Sequence, residues 1–240
     1  MSAGTEYAPP GVQAWRSRGF RDGDRRYQAA QWLVAGVLRL LADVHVEGME
    51  RCPRHGPVIL ATNHRSMLDI PVLSVWCPRP VIFFSKVEVR HWPLVGWIAT
   101  IFGSIYVRRG AADRQAMREA LAALAAGRVI VFFPEGHRTT TGGLLRAQPG
   151  ISLLAQRSGA PVWPVALTGT ERIGKALRPR VMLRGGEPFD ALAAAREEWG
   201  PAPTHQEVAD TIMRRIAALL PPECRGVYME DPVPARSTGA

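Results

Sequence analysis

Residues 57–73 read PVILATNHRSMLDIPVL, and how this stretch is interpreted decides how the rest of the chain is organised. Pro57 to Thr62 form an apolar run of strand length with β-branched content, and residues around 67–76 have the composition of a helix. Between them stand Asn63, His64 and Arg65, and Asp69 follows His64 by five positions among apolar neighbours. A buried strand entering a helix through a polar turn is the opening of a βαβ unit.

Five further runs share the character of the first: PVIFFS (80–85), SIYVR (104–108), VIVFF (129–133), VWPVAL (162–167) and RVMLR (180–184). Helix-like segments fall between them, around 92–101, 150–158 and 206–220. The clearest is Asp113 to Ala126, with Asp113 as its N-cap and Gly127 as its stop. Strands alternating with helices of this length predict an α/β fold, a single domain with a largely parallel or mixed central sheet flanked by helices.

At 240 residues and 47% hydrophobic, the chain can bury one sizeable core. Its 30 Lys and Arg against 21 Asp and Glu give a formal net charge of +9, which favours phosphate ligands, acidic lipid surfaces or nucleic acid. Nucleic acid is set aside because no recognised module, and no interleaving of aromatic with basic residues, is present. Three cysteines, Cys52, Cys77 and Cys224, without C-x-x-C spacing signal neither a disulfide framework nor a zinc site and fit a reducing, cytoplasmic setting.

No signal peptide is expected at the N-terminus. Ala29 to Leu41 is strongly apolar but only about 13 residues long, short of the roughly 17–25 that span a bilayer. Arg16, Arg18, Arg21, Arg25 and Arg26 precede it, as in a helix lying on an anionic membrane surface. Ordinary packing on the domain is the other reading, and the two are compatible. Trp92, Leu94, Trp97 and Phe102 read as core residues, with an acyl-chain groove as the alternative.

The polar residues fall on one rim of this frame. His64 follows PVILAT, Lys86 follows PVIFFS, Arg109 follows SIYVR, Glu135 and Arg138 follow VIVFF, and Thr168 and Thr170 follow VWPVAL. In open α/β sheets that edge binds ligands. A histidine, a carboxylate and several cations gathered there suit a reaction on an anionic molecule, with arginines able to grip phosphate by two parallel bonds. On a continuous helix His64 and Asp69 would point about 140° apart. They meet only if His64 lies in the turn before the helix and Asp69 in its first turns, and Asp69 then orients the ring while the other nitrogen acts as a base. A capping pair without catalytic function is the bland alternative. For metal binding, His64, Asp69, Glu135 and His137 supply the right atoms but not the spacing, so no metal site is expected. Ser66 lacks a nucleophile elbow.

NHRSMLD (63–69), GSIYVRR (103–109), FPEGHRT (133–139) and PVWPVAL (161–167) occur in this order, and together they resemble the four blocks of the glycerolipid acyltransferases of the lysophosphatidate (1-acylglycerol-3-phosphate) type. The likeness covers about residues 46–186. It implies an O-acyltransferase in phospholipid biosynthesis that moves a fatty acyl group from acyl-CoA or acyl-carrier protein to the free hydroxyl of a lysophosphatidate-like acceptor, with no cofactor beyond the acyl donor. Another lysophospholipid, glycerol 3-phosphate or a glycolipid are alternative acceptors, and a non-catalytic lipid-binding protein is the reading from another class.

By the same resemblance His64 is the general base and Asp69 its orienting partner. Arg109 contacts the acceptor phosphate and Gly103 matches in the same block; Glu135, Gly136 and Arg138 contact phosphate and glycerol; Pro164 positions the acyl donor. Asn63 and Arg65, flanking the histidine, join the substrate-binding set, and Lys86 and Arg108 are further candidates. Backbone N–H groups after His64 are expected to serve the developing oxyanion. The chain departs from the family pattern at Arg108, His137 (commonly Thr) and Gln148 (often Lys). The resulting division is a flexible segment 1–24, an amphipathic helix 25–45 able to lie on a membrane, an acyltransferase domain 46–225 and a flexible tail 226–240, working peripherally on the cytoplasmic, inner face of the cell membrane.

Overall fold

Val58, Ile59, Leu60 and Ala61 are all fully buried, because β2 (Val58–Thr62) runs through the interior of a sheet and not along its rim. The computed structural model describes residues 25–86, 104–107, 114–139 and 143–229. Among these, β1 (Asp43–Glu47), β3 (Val81–Lys86), β4 (Ser104–Val107), β5 (Val129–Phe132), β6 (Val162–Thr168) and β7 (Arg180–Gly185) complete a seven-stranded sheet of order β1-β7-β6-β2-β5-β3-β4. β6, β2, β5, β3 and β4 are mutually parallel, whereas β7 runs antiparallel to β6 and carries β1 parallel to itself. The sheet is therefore mixed, with five strands pointing one way.

Side chains alternate across it with a period of two. Val58 and Leu60 join a cluster with Val129, Val131, Trp163 and Leu167, while Ile59 and Ala61 join one on the opposite face with Ile130 and Ala166. Each fully buried branched or aromatic side chain contributes about 1.5–3 kcal/mol, so both faces must be covered. On the first face lie α1 (Arg25–Leu41), through Leu38, and α2 (Asp69–Trp76), through Val72 and Leu73. On the second lie α3 (Arg114–Ala125), α4 (Gly150–Ser158), α5 (Ala191–Trp199) and α6 (His205–Leu219). In α3 the buried residues Ala116, Ala120, Ala123 and Leu124 recur at helical spacing, and the helix stops where Gly127 donates to the Leu124 carbonyl at 2.8 Å.

Several boundaries differ from expectation. The domain boundary placed at 45/46 falls inside β1: α1 ends at Leu41 and Asp43 already pairs with Arg180. This strand has the burial of an edge and lacks a continuous apolar run, which hides it in the sequence. α5 was also not anticipated, although Asp190 caps it by accepting from Leu192 and Ala193 N–H at 2.9 and 3.0 Å. The tail expected from 226 is anchored at its start. Tyr228 is buried, donates to Asp210 at 2.7 Å and accepts from the Ala147 N–H at 3.0 Å. Burial pushes its phenol well above the ordinary tyrosine range. The segments expected as a helix at 92–101, as the Asp113 cap and as the flexible ends 1–24 and 230–240 lie outside the described residues.

Pro164 sits in an interior strand, where its missing N–H would ordinarily break a ladder. The β6–β7 pairing begins only at Val165↔Gly185, so Pro164 lies one residue beyond it. Its carbonyl accepts from Gly186 at 2.8 Å, and the Gly186 carbonyl accepts the Trp163 indole N–H at 3.0 Å instead of a strand amide.

Candidate active site

β6, β2 and β5 are adjacent and parallel, so the loops leaving their C-terminal ends converge. His64 stands two residues past β2, Glu135 three past β5, and Thr170 two past β6. Thr170 sits behind Gly169, whose φ of 87° and close approach to the Arg180 carbonyl leave no room for a Cβ.

The turn His64–Leu68 wraps around the carboxylate that begins α2. Asp69 Oδ2 accepts the Arg65 and Ser66 backbone N–H groups at 2.7 and 2.9 Å, and His64 Nδ1 lies 2.7 Å from the same oxygen. Asp69 Oδ1 accepts the Thr170 hydroxyl at 2.5 Å. With Oδ2 acting as an acceptor throughout, Nδ1 carries the ring proton and Nε2 presents its lone pair, with no partner among the described residues. Asp69 is fully buried, while the His64 side chain keeps 15% exposure, enough to meet a ligand at the rim. The ring stacks on Phe133 with centroids 4.0 Å apart. A helix N-terminus further favours the carboxylate here.

A second carboxylate fixes the backbone of the histidine. Glu135, 1% exposed, accepts the His64 N–H at 2.9 Å through Oε1, and through Oε2 the Thr139 hydroxyl and the Leu145 N–H, both at 3.0 Å. The His64 carbonyl in turn accepts the Thr139 N–H at 2.8 Å. Gly136 turns this loop at φ 75°, where a Cβ would press on Gln148.

Measured against expectation, the structure brings His64 and Asp69 together as the turn-then-helix reading requires. Glu135, expected to contact substrate, spends both oxygens on the loop. Asn63, also expected to contact substrate, is buried: its amide donates to the Leu167 carbonyl and accepts the Leu167 N–H, both at 2.8 Å, extending the β2–β6 ladder by a side chain. The Arg65 guanidinium pairs with Glu171 at 3.3 Å. Arg138 and His137 are exposed beside the turn. Lys86 closes β3 on this edge, its side chain outside the described residues, as are Gly103, Arg108 and Arg109. The oxyanion donors expected after His64 are corrected: the N–H groups of His64, Arg65 and Ser66 are all committed to Glu135 and Asp69. No set of three His, Cys, Asp or Glu side chains among the described residues converges as metal ligands.

Thr170, Thr139 and Phe133 are the residues that sequence reasoning left without a role. Thr170 had one signal, its place just past a strand on the same rim as His64. Replacing Thr170 by Val leaves a buried carboxylate oxygen without its donor, and a loss of about tenfold in turnover and about 1–3 kcal/mol in stability is expected. Thr170→Ser should recover both, read by steady-state kinetics and thermal unfolding.

The family model described as Acyltransferase matches residues 43–168. The chain belongs to the acyltransferase family. The match includes the whole His64–Asp69–Glu135 arrangement. Within the family, the chain is 38% identical over 146 residues to the lyso-ornithine lipid O-acyltransferase of Pseudomonas aeruginosa, covering 60% of this chain and 54% of that one. It is 32% identical over 155 residues to the 1-acyl-sn-glycerol-3-phosphate acyltransferase of Neisseria meningitidis, covering 63% and 60%. The chain spans about half the length of the first of the curated relatives it matches. Its fold is like that of the 1-acyl-sn-glycerophosphate (LPA) acyltransferase PlsC from Thermotoga maritima, with a TM-score of 0.65, 24% identity and coverage of 86% of this chain and 83% of that one.

Proposed function

We propose that the protein transfers a fatty acyl group from a thioester, acyl-CoA or acyl-carrier protein, to the free hydroxyl of a lysophosphatidate-like acceptor. The observation that carries this reading is the His64–Asp69 contact of 2.7 Å with Nε2 left open at the rim. Nε2 takes the proton of the acceptor hydroxyl as its oxygen attacks the thioester carbonyl carbon. The C–O bond forms, the tetrahedral intermediate collapses with cleavage of the C–S bond, and the imidazolium returns its proton to the departing thiolate. No covalent enzyme intermediate is needed: alignment and proton transfer suffice. Arg138, together with Arg109 by its family resemblance, grips the anionic head group with forked donors. Asp69 and Glu135 act by holding the histidine.

The reaction belongs at the cytoplasmic, inner face of a membrane, where the acceptor resides. No helix among the described residues is long and apolar enough to cross one. The exposed apolar side of α1 supports surface attachment: Trp32, Leu33 and Leu40 are 76%, 65% and 75% exposed.

A second acceptor deserves equal testing. Gln148, where the family often has lysine, packs beside Gly136 in the same turn as Arg138, so this turn has one cation fewer than the family pattern, while Arg108 is an added cation in the second block. A redistributed set of cations suits a head group other than a phosphomonoester, and a lyso-ornithine lipid, with carboxylate and ammonium in place of phosphate, fits the similarity to the Pseudomonas enzyme. The test is thiol release from acyl-CoA by purified protein with lysophosphatidate, lyso-ornithine lipid, glycerol 3-phosphate or no acceptor. Acceptor-dependent release is expected with one of the lysolipids. Release with none of them, despite lipid binding, would reduce the protein to a lipid-binding role.

A further inference from the structure

The loop between β6 and β7 carries an unusual residue at its tip: Leu177 is 97% exposed. Next to it, Arg178 adopts φ 42°, the only non-glycine positive φ among the described residues. Such a conformation persists only where the surroundings impose it. Here the Arg178 guanidinium donates to the Arg39 carbonyl at 3.3 Å, tying the loop to the last turn of α1. There the exposed apolar side of α1 ends in Val37, Leu40 and Leu41.

The sheet register locates this junction. Thr168 pairs with Met182 and Asp43 with Arg180, so the loop and the end of α1 both lie at the C-terminal edge of β6, the edge that holds His64. The loop itself begins with the turn Thr170–Arg172, whose Thr170 holds Asp69. Exposed cations surround the apolar residues: Arg39, Arg172, Lys175, Arg178 and Arg180. The acids at this end are engaged, Asp43 with His45 at 2.8 Å and Glu171 with Arg65 at 3.3 Å.

We propose that this loop is a second membrane contact. Leu177 inserts among acyl chains while the surrounding arginines and Lys175 lie at anionic head groups. Held beside α1, the loop turns the catalytic edge of the sheet towards the bilayer, so that a lysolipid hydroxyl reaches His64 without leaving the membrane. A second copy of the chain fits this surface less well, because a two-fold arrangement would oppose cations to cations. The inference rests on the reading of the acceptor as a membrane lipid.

The test is co-sedimentation of the full chain with phosphatidylcholine vesicles, with and without phosphatidylglycerol. Wild-type protein should bind the anionic vesicles in a salt-sensitive way. Leu177→Asp should weaken that binding by about tenfold, since it removes one buried leucine side chain from the membrane and adds a repelled charge. Its thermal unfolding should not move, because the side chain has no contacts to lose. The variant should also lose acyl transfer to acceptor embedded in vesicles while keeping it on acceptor dispersed in detergent micelles. Wild-type-like vesicle binding by Leu177→Asp overturns the inference, as does a variant that merely dissociates a dimer in sedimentation velocity. Leu177-dependent binding by a protein that shows no thiol release with any acceptor would uphold the membrane contact and sink the enzymatic reading instead.

Discussion

With Ala in place of His64, acceptor-dependent thiol release falls to background, a loss of about 10²–10⁴-fold, the range that a positioned general base supplies. The protein should nevertheless stay folded. Three donors to Asp69 survive the change, the Arg65 and Ser66 N–H groups and the Thr170 hydroxyl, so the buried carboxylate is not abandoned. What is lost is the stack on Phe133 and one hydrogen bond at a partly exposed position. A stability decrease of about 1 kcal/mol is expected. Initial-rate kinetics alongside thermal unfolding separate the two effects. An inactive but unfolded His64→Ala protein would contradict the account of how Asp69 is held, and an active one would remove the proposed base.

The second large effect comes from Asp69, and two substitutions should divide its roles. Asp69→Asn keeps the shape: the amide oxygen can still accept from Arg65, Ser66 and His64, and the amide nitrogen can donate to Thr170, whose hydroxyl rotates to accept. The negative charge that stabilises the imidazolium is gone, so turnover should drop by about 10²-fold or more with little change in melting temperature. Asp69→Ala removes every acceptor and strands buried backbone N–H groups, which should cost about 2–5 kcal/mol and lower the melting temperature by on the order of 10 °C. If Asp69→Asn were as unstable as Asp69→Ala, the carboxylate would be chiefly structural. Near-normal turnover in Asp69→Asn would exclude it from orienting the base.

Glu135 is a motif residue whose place in the fold is legible in the sequence while its partners are not. Its place after VIVFF is legible, since a buried parallel strand is a continuous apolar run and ends where the polar residues begin. That its two oxygens face the His64 N–H, the Thr139 hydroxyl and the Leu145 N–H, and not a ligand, follows from how three loops fold over one another. The backbone N–H groups after His64 were misjudged for the same reason. They are free in an isolated strand–turn–helix and are taken only because the turn closes on Asp69. β1 escaped notice through a different cause: Asp43–Glu47 alternates polar with apolar, but over only five residues with two valines, and as an outer strand it is exposed or half-buried throughout, so it lacks the apolar run that marks the interior strands.

Short-range periodicity alone settled the alternation of strands and helices, the buried character of PVILAT, the placing of the chemical groups at strand ends, and the condition under which a histidine and an aspartate five residues apart can meet. These depend on neighbours within a turn of helix or a few residues of strand, and local sterics and burial dictate them. Only the tertiary structure decided that β7 runs antiparallel, that Asn63 is a buried clasp, that Thr170 reaches Asp69, and that Arg178 ties the β6–β7 loop to α1. Those contacts join residues 104, 101 and 139 positions apart, in the cases of Asn63 with Leu167, Thr170 with Asp69, and Arg178 with Arg39. At such separations no local pattern specifies a partner; the packing of both sheet faces brings the loops together, and the hydrogen bonds form among whatever polar groups arrive there.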